Sequence, residues 1–146
     1  MRDVKDLTFR TIDRTSKEII KEPLSGEYPL ENWYVSVYDK PLGSFSKGDL
    51  ARSLRQNFFS EYIVFLCLQI LSEDFFAGEY YEGELFYALR SLPDSYWRKH
   101  IEDKEQFLSI AYNADQHIDD EDLQQDLTDF LKKLVAIHGQ QTTLLK

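Results

Sequence analysis

The stretch "SEYIVFLCLQILSED", residues 60–74, constrains the fold more than any other. From Ile63 to Leu71 it is apolar nearly all the way round a helical wheel. A helix with that pattern must be enclosed by other elements rather than lie on a surface. Its longest unbroken apolar run, Ile63 to Leu68, is far shorter than the roughly 20 residues that span a bilayer. The segment is therefore expected to be the central core helix of a mainly α fold. Cys67 lies inside it among Val64, Phe65, Leu66 and Leu68, as a buried thiol without a disulfide partner in the chain.

A chain of 146 residues with 42% hydrophobic and 14% aromatic content has enough apolar surface to build a core around that helix without staples. One domain is the expectation, because no linker, repeat or low-complexity tract interrupts the sequence. About five to seven helices should surround the central one, at about 60–73. "SKGD" at 46–49 reads as a capping box, with Leu50, Leu54 and Phe58 following at helical spacing. A first helix is read across 4–21. The segment after Asp119–Asp122 has acids at its start, a stripe of Leu123, Leu127, Phe130, Leu131, Leu134 and Val135, and late lysines. Between them, "YWRKHIEDKEQFLSIAYNADQH" reads as a helix broken near Glu102, with Trp97, Ile101, Leu108, Ala111 and Tyr112 inward. "NWYVSVYDK" alternates like a strand, with Trp33, Val35 and Val37 against Tyr34, Ser36 and Tyr38, and an extended segment is expected near 33–38.

The formal net charge of −9 excludes the basic surface that holds a nucleic-acid backbone. The imbalance is local. Residues 73–129 carry 16 acids against 4 bases, whereas residues 1–72 carry 10 of each. Such a field favours a cationic partner and speeds its approach. No secretory signal is read in "MRDVKDLTFR", and the expected location is the cytoplasm.

Two acidic clusters are candidates for chemistry. The first is "GEYYEGEL" at 78–85. A helix starting near Glu79, with Tyr81, Leu85, Ala88, Leu89 and Leu92 inward, would spread Glu79, Glu82 and Glu84 around its axis. Divergent carboxylates on one helix cannot face each other across a bond as glycoside hydrolysis requires. Tyr80, Phe86 and Tyr87 fall off that stripe, either packed under another segment or exposed as an interface patch. The second cluster is "NADQHIDDED" at 113–122, which begins like a calcium loop but lacks the required Gly and the bidentate Glu. His100, His117 and His138 have no ligand spacing. Neither a metal, a cofactor nor a catalytic residue is expected.

"GEYYEGEL", preceded by "EYIVFLCLQIL" and followed by "SYW", resembles the CdiI immunity proteins of bacterial contact-dependent growth inhibition. The likeness extends upstream through Lys40-Pro41-Leu42, Asp49-Leu50 and Arg55-Gln56. The family pattern has Asp where this chain has Glu79 and Glu84. The resemblance implies a non-enzymatic cytoplasmic protein that binds the C-terminal toxin domain of its cognate CdiA effector and blocks it. Such toxins are often nucleases with basic clefts. The protein would be a monomer alone and a 1:1 heterodimer with toxin, binding neither nucleic acid nor membrane. The motif would serve the fold more than the interface. Partner-binding candidates are Glu79, Tyr80, Glu82, Tyr87, Asp115, Asp119, Asp120 and Glu121. The alternatives are a small acid–base enzyme with carboxylates from 79–84 and 113–122, and a general acidic helical adaptor.

Overall fold

The computed structural model describes residues 3–15, 28–115 and 118–138, and among these residues the secondary structure is helical throughout, without a strand. After a 3-10 turn at Val4–Asp6 come α1 (Phe9–Thr15), α2 (Pro29–Val37), α3 (Lys47–Arg55), α4 (Ser60–Glu73), α5 (Glu84–Arg90), α6 (Asp94–Lys99), α7 (Ile101–Asp115) and α8 (Glu121–Ala136). The helix expected over 4–21 starts only at Phe9, because Leu7 is extended after the 3-10 turn, and its part beyond Thr15 lies outside the described residues.

The central element is α4, with Ile63, Val64, Leu66, Cys67, Leu68 and Leu71 buried. Burial pushes the Cys67 thiol well above its ordinary pKa, so it stays protonated and inert. The buried side chains form one hydrophobic cluster, which contains two aromatic knots. In one knot Phe9 meets Trp33, Tyr34, Phe45, Phe58 and Phe59. In the other, Phe107 meets Phe75, Phe86, Trp97 and Phe130. Each knot joins rings from elements distant in sequence, in a mixture of stacked, tilted and edge geometries.

The extended segment expected near 33–38 is instead helix α2. Pro29 occupies its first turn, where a fixed φ suits a helix and the missing N–H costs nothing. A lone strand would have left its backbone groups unpaired, whereas a helix satisfies them locally. Tyr34 and Val37, on opposite faces of the strand reading, are both buried at helical spacing, and Val35 is exposed.

At α3 the expected capping box is present. Ser46 Oγ accepts the Asp49 amide at 3.0 Å, and Asp49 Oδ2 accepts the Ser46 amide at 3.1 Å. The same carboxylate takes the Trp33 indole N–H at 2.9 Å and the Lys40 ammonium at 3.1 Å, fastening α2 and its exit loop to the start of α3. Burial opposes charge on Asp49, yet these hydrogen bonds outweigh it and hold the carboxyl below its ordinary pKa.

The break expected near Glu102 falls at His100, between α6 and α7. The inward face of α7 is Lys104, Phe107 and Ala111, whereas Tyr112 is exposed. The Lys104 ammonium reaches the Ile137 carbonyl at 2.8 Å, capping the end of α8. Helix α8 buries its predicted stripe, except that Val135 faces out. Among the described residues seven helices accompany α4, within the five to seven expected around it, with α2 in place of the expected extended segment.

Asp49→Ala is expected to lower stability at neutral pH by about 1–3 kcal/mol, from the lost cap and the orphaned indole. Because the folded carboxyl titrates below the unfolded one, its contribution is complete above the unfolded pKa. It disappears as pH falls through the lower, folded value. Denaturant titrations should therefore show the gap between wild type and variant closing below about pH 4. A gap of undiminished size at pH 2 would rule out the ionised carboxylate as its source.

Candidate functional site

The helix expected to begin near Glu79 begins at Glu84, and residues 77–83 form a tight loop. Its backbone closes on itself: the Gly83 amide donates to the Phe76 carbonyl at 2.9 Å and the Leu85 amide to the Ala77 carbonyl at 3.2 Å. Two glycines make this possible. A Cβ at Gly78 would lie 2.1 Å from the Tyr81 carbonyl oxygen, and Gly83 has φ of +82°, in the left-handed region. The helical-wheel separation of the three glutamates therefore does not apply, and their environments diverge for another reason.

Glu84 is only 1% exposed. Its Oε1 accepts the Glu79 amide at 2.8 Å and the Tyr80 amide at 3.2 Å, while Arg55 stands 3.8 Å from Oε2. Glu79 turns the other way, and its Oε1 accepts the Gly48 amide at 2.9 Å in the first turn of α3. The Ser46 hydroxyl and the Gly48 amide hold the Glu79 carboxyl below its ordinary pKa. An added Cβ at Gly48 would meet Glu79 Oε1 at 2.7 Å and the Tyr80 ring at 2.8 Å, so that glycine lets the loop sit on α3. Glu82 alone of the three is exposed without a hydrogen bond or ion pair among the described residues.

The aromatic residues divide in the same way. Phe86 is fully buried in the second knot. Tyr80 is 75% exposed and Tyr81 50% exposed, although Tyr81 was expected on the inward stripe. Tyr87 is half-buried, with its ring 6.4 Å from that of Tyr81 and beneath the Arg90 guanidinium. Burial, reinforced by the neighbouring Asp126 carboxylate, pushes the Tyr87 phenol up to about 12.

Packing carries the loop to the second acidic cluster. The Tyr87 hydroxyl donates to Asp126 Oδ2 on α8 at 2.6 Å, and Arg90 stands 3.5 Å from Oδ1 of the same carboxylate. An added Cβ at Gly83 would lie 3.3 Å from the Leu123 side chain, so the first turn of α8 covers the end of the loop. Asp120 is close enough to Tyr87 to raise its pKa. It also caps α8, its Oδ1 accepting the Asp122 and Leu123 amides at 2.9 and 3.0 Å. Asp119 and Glu121 flank it, exposed and without ion pairs among the described residues. Packing thus brings Tyr87 to Asp120 and Asp126, and Gly83 to Leu123, whereas Glu79 and Tyr80 lie against Gly48 of α3. The side chain of Asp115, and His117, lie outside the described residues.

Sequence reasoning missed Tyr81, Asp126 and Arg90 as members of this site. Tyr81 was hidden by assuming the helix continued through Gly83, whose neighbourhood of two glycines within six residues was the available warning. Asp126 and Arg90 had no local signal, because only tertiary packing pairs them.

Surface grooves of about 500, 530 and 370 Å³ are lined by described residues, and none of these three joins the 79–84 loop to the 113–122 segment. Among the described residues no cluster of three or more His, Cys, Asp or Glu could hold a metal ion, and no helix is long and apolar enough to cross a membrane.

Fold and site together define an all-helical protein whose distinctive surface is an acidic and aromatic face built on a tightly pinned loop. No curated protein matches the chain. The family model described as CDI immunity proteins matches residues 14–107, the span that contains the pinned loop, α3, α4 and α5. The chain belongs to the family of CDI immunity proteins. Its general role is therefore immunity in contact-dependent growth inhibition, and its partner in general terms is a cognate CdiA toxin.

The buried carboxylate yields a mutational test. Glu84→Ala leaves two amides without an acceptor and is expected to cost about 1–3 kcal/mol in denaturant unfolding. Glu84→Gln keeps an acceptor oxygen and should retain most of that stability. Equal losses for the two variants would show that the negative charge, not the acceptor, holds the loop.

Proposed function

We propose that this immunity protein binds the C-terminal toxin domain of its cognate CdiA effector in the cytoplasm and blocks it by covering a basic active site or substrate surface. It acts as a single domain, a monomer alone and a 1:1 heterodimer with toxin. The observation that carries the reading is the meeting of the Glu79–Glu82 loop with the Asp119–Asp122 helix start, through Gly83 and Leu123 and through Tyr87 and Asp126. Residues 73–129 hold 16 of the chain's 26 acids, so a protein surface replaces with carboxylates the phosphates that a nuclease cleft would hold.

The division of the glutamates favours binding over acid–base chemistry. Glu84 and Glu79 both accept backbone amides, so the carboxylates an enzyme would need free are engaged in holding the loop. Glu82, Asp119 and Glu121 point to a different use. They are exposed and unpaired among the described residues, and charges of this kind steer encounter rather than perform catalysis.

Two measurements test this reading. Co-expression with the C-terminal domain of the adjacent effector should rescue growth and give a co-purifying complex with the mass of one copy of each; failure of both rescue and complex would remove it. Stopped-flow association should slow as ionic strength rises, and Glu82→Lys with Asp119→Lys and Glu121→Lys should slow it about tenfold further at low salt. Asp120→Asn separates charge from capping, because Asn caps a helix as well as Asp does. A folded triple variant with unchanged association would exclude this face.

A further inference from the structure

Tyr80 and Tyr81 stand out from the other residues of the acidic face. Two adjacent aromatic rings, 75% and 50% exposed, sit on a loop whose backbone is unusually constrained. Glu84 binds the amides of residues 79 and 80, Gly83 and Leu85 bind back to Phe76 and Ala77, and Glu79 binds α3 through Gly48. The Tyr80 ring rests over Gly48, and the Tyr81 ring lies beside Tyr87. These contacts serve the loop more than the core, since the rings themselves remain largely in water.

Such an arrangement suits an anchor. A tyrosine offers a large, flat, amphipathic surface with only two torsions to freeze, and a pre-ordered backbone removes the cost of ordering a loop at the moment of binding. The flanking carboxylates specify the partner's chemistry. Glu82 on the loop and Asp119, Asp120 and Glu121 beyond Gly83 favour ammonium and guanidinium groups, which also bind well against tyrosine faces.

We infer that Tyr80 and Tyr81 are the central anchor of the toxin interface, receiving lysine or arginine side chains of the toxin's basic cleft against their ring faces while Glu82 contacts the same cations. The inference rests on the toxin-binding reading above and adds a division of labour to it. Carboxylates govern how fast the complex forms, and the tyrosines govern how long it lasts.

The test measures association and dissociation rates of the full chain with a catalytically inactive form of the cognate toxin domain, using biolayer interferometry. Tyr80→Ala combined with Tyr81→Ala should dissociate about thirtyfold faster, with association changed less than about threefold. Tyr80→Phe combined with Tyr81→Phe keeps the ring faces and should dissociate at nearly the wild-type rate. Both variants should remain folded at the assay temperature, with the alanine pair melting lower because it loses the Tyr80 contact with Gly48, the Tyr80 hydrogen bond to Glu79 and the Tyr81–Tyr87 contact. A folded alanine variant with wild-type dissociation would overturn the anchor while leaving the toxin-binding reading intact. Phenylalanine variants that dissociate as fast as the alanine ones would assign the effect to the hydroxyls and overturn the ring-face contact. Wild-type protein that does not bind the toxin domain would remove the toxin-binding reading and this inference with it.

Discussion

Glu84 carries a carboxylate to a position that water scarcely reaches, and there its Oε1 accepts the amides of Glu79 and Tyr80. Without that acceptor, two amide donors at the mouth of the loop would lose their partners, and the turn from Phe76 to Glu84 would lose its closure. The carboxylate is tolerated because backbone donors surround it and Arg55 stands nearby. A buried charge with such partners is stable, whereas a buried charge without them is expensive. The glycines at 78 and 83 complete the constraint: one leaves space where a Cβ would strike backbone, and the other adopts a left-handed φ.

From this pinned loop the rest of the face follows. Glu79 bridges to α3, where Ser46 and Asp49 already form the capping box that ties in α2 through Trp33. On the other side Gly83 fits beneath Leu123, and Tyr87 binds Asp126, which brings α8 alongside α5. Helix α8 contributes its acidic start for a local reason, since Asp120 caps the helix and acids in a first turn are favoured by its dipole. Residues with sound structural duties thereby assemble a mainly acidic surface, with Arg90 among the carboxylates, beside exposed rings. In this member of the CDI immunity family the motif therefore divides: its buried members shape the loop, and its exposed members lie in solvent.

Much of the fold was legible because its signals are local. The apolar run of 63–71, the Ser46 capping box and the amphipathic stripe of α8 each report the environment of one helix, although Phe65 is 43% exposed and α4 is not enclosed on every side. The reading failed where two periods competed or where a turn interrupted a helix. Trp33, Val35 and Val37 alternate as in a strand, yet Tyr34 and Val37 are the residues that pack, because Pro29 starts a helix and no strand is available to pair. Tyr81 looked inward only while residues 79–83 were assumed helical. On α7 Ala111 is buried as expected, but Tyr112 is exposed, and the unexpected inward residues are Lys104, which answers the Ile137 carbonyl, and Phe107, which joins the second aromatic knot.

By itself the amino-acid sequence determined the helical class, the central helix, the acidic bias of residues 73–129 and the presence of a marked "GEYYEGEL" block, because composition and periodicity act within a few turns of chain. Only the tertiary structure decided which glutamates are buried, which tyrosines meet water, and that Tyr87 on α5 meets Asp126 on α8. Those outcomes depend on contacts such as Tyr87 with Asp126, thirty-nine residues apart, whose partners no local pattern can name.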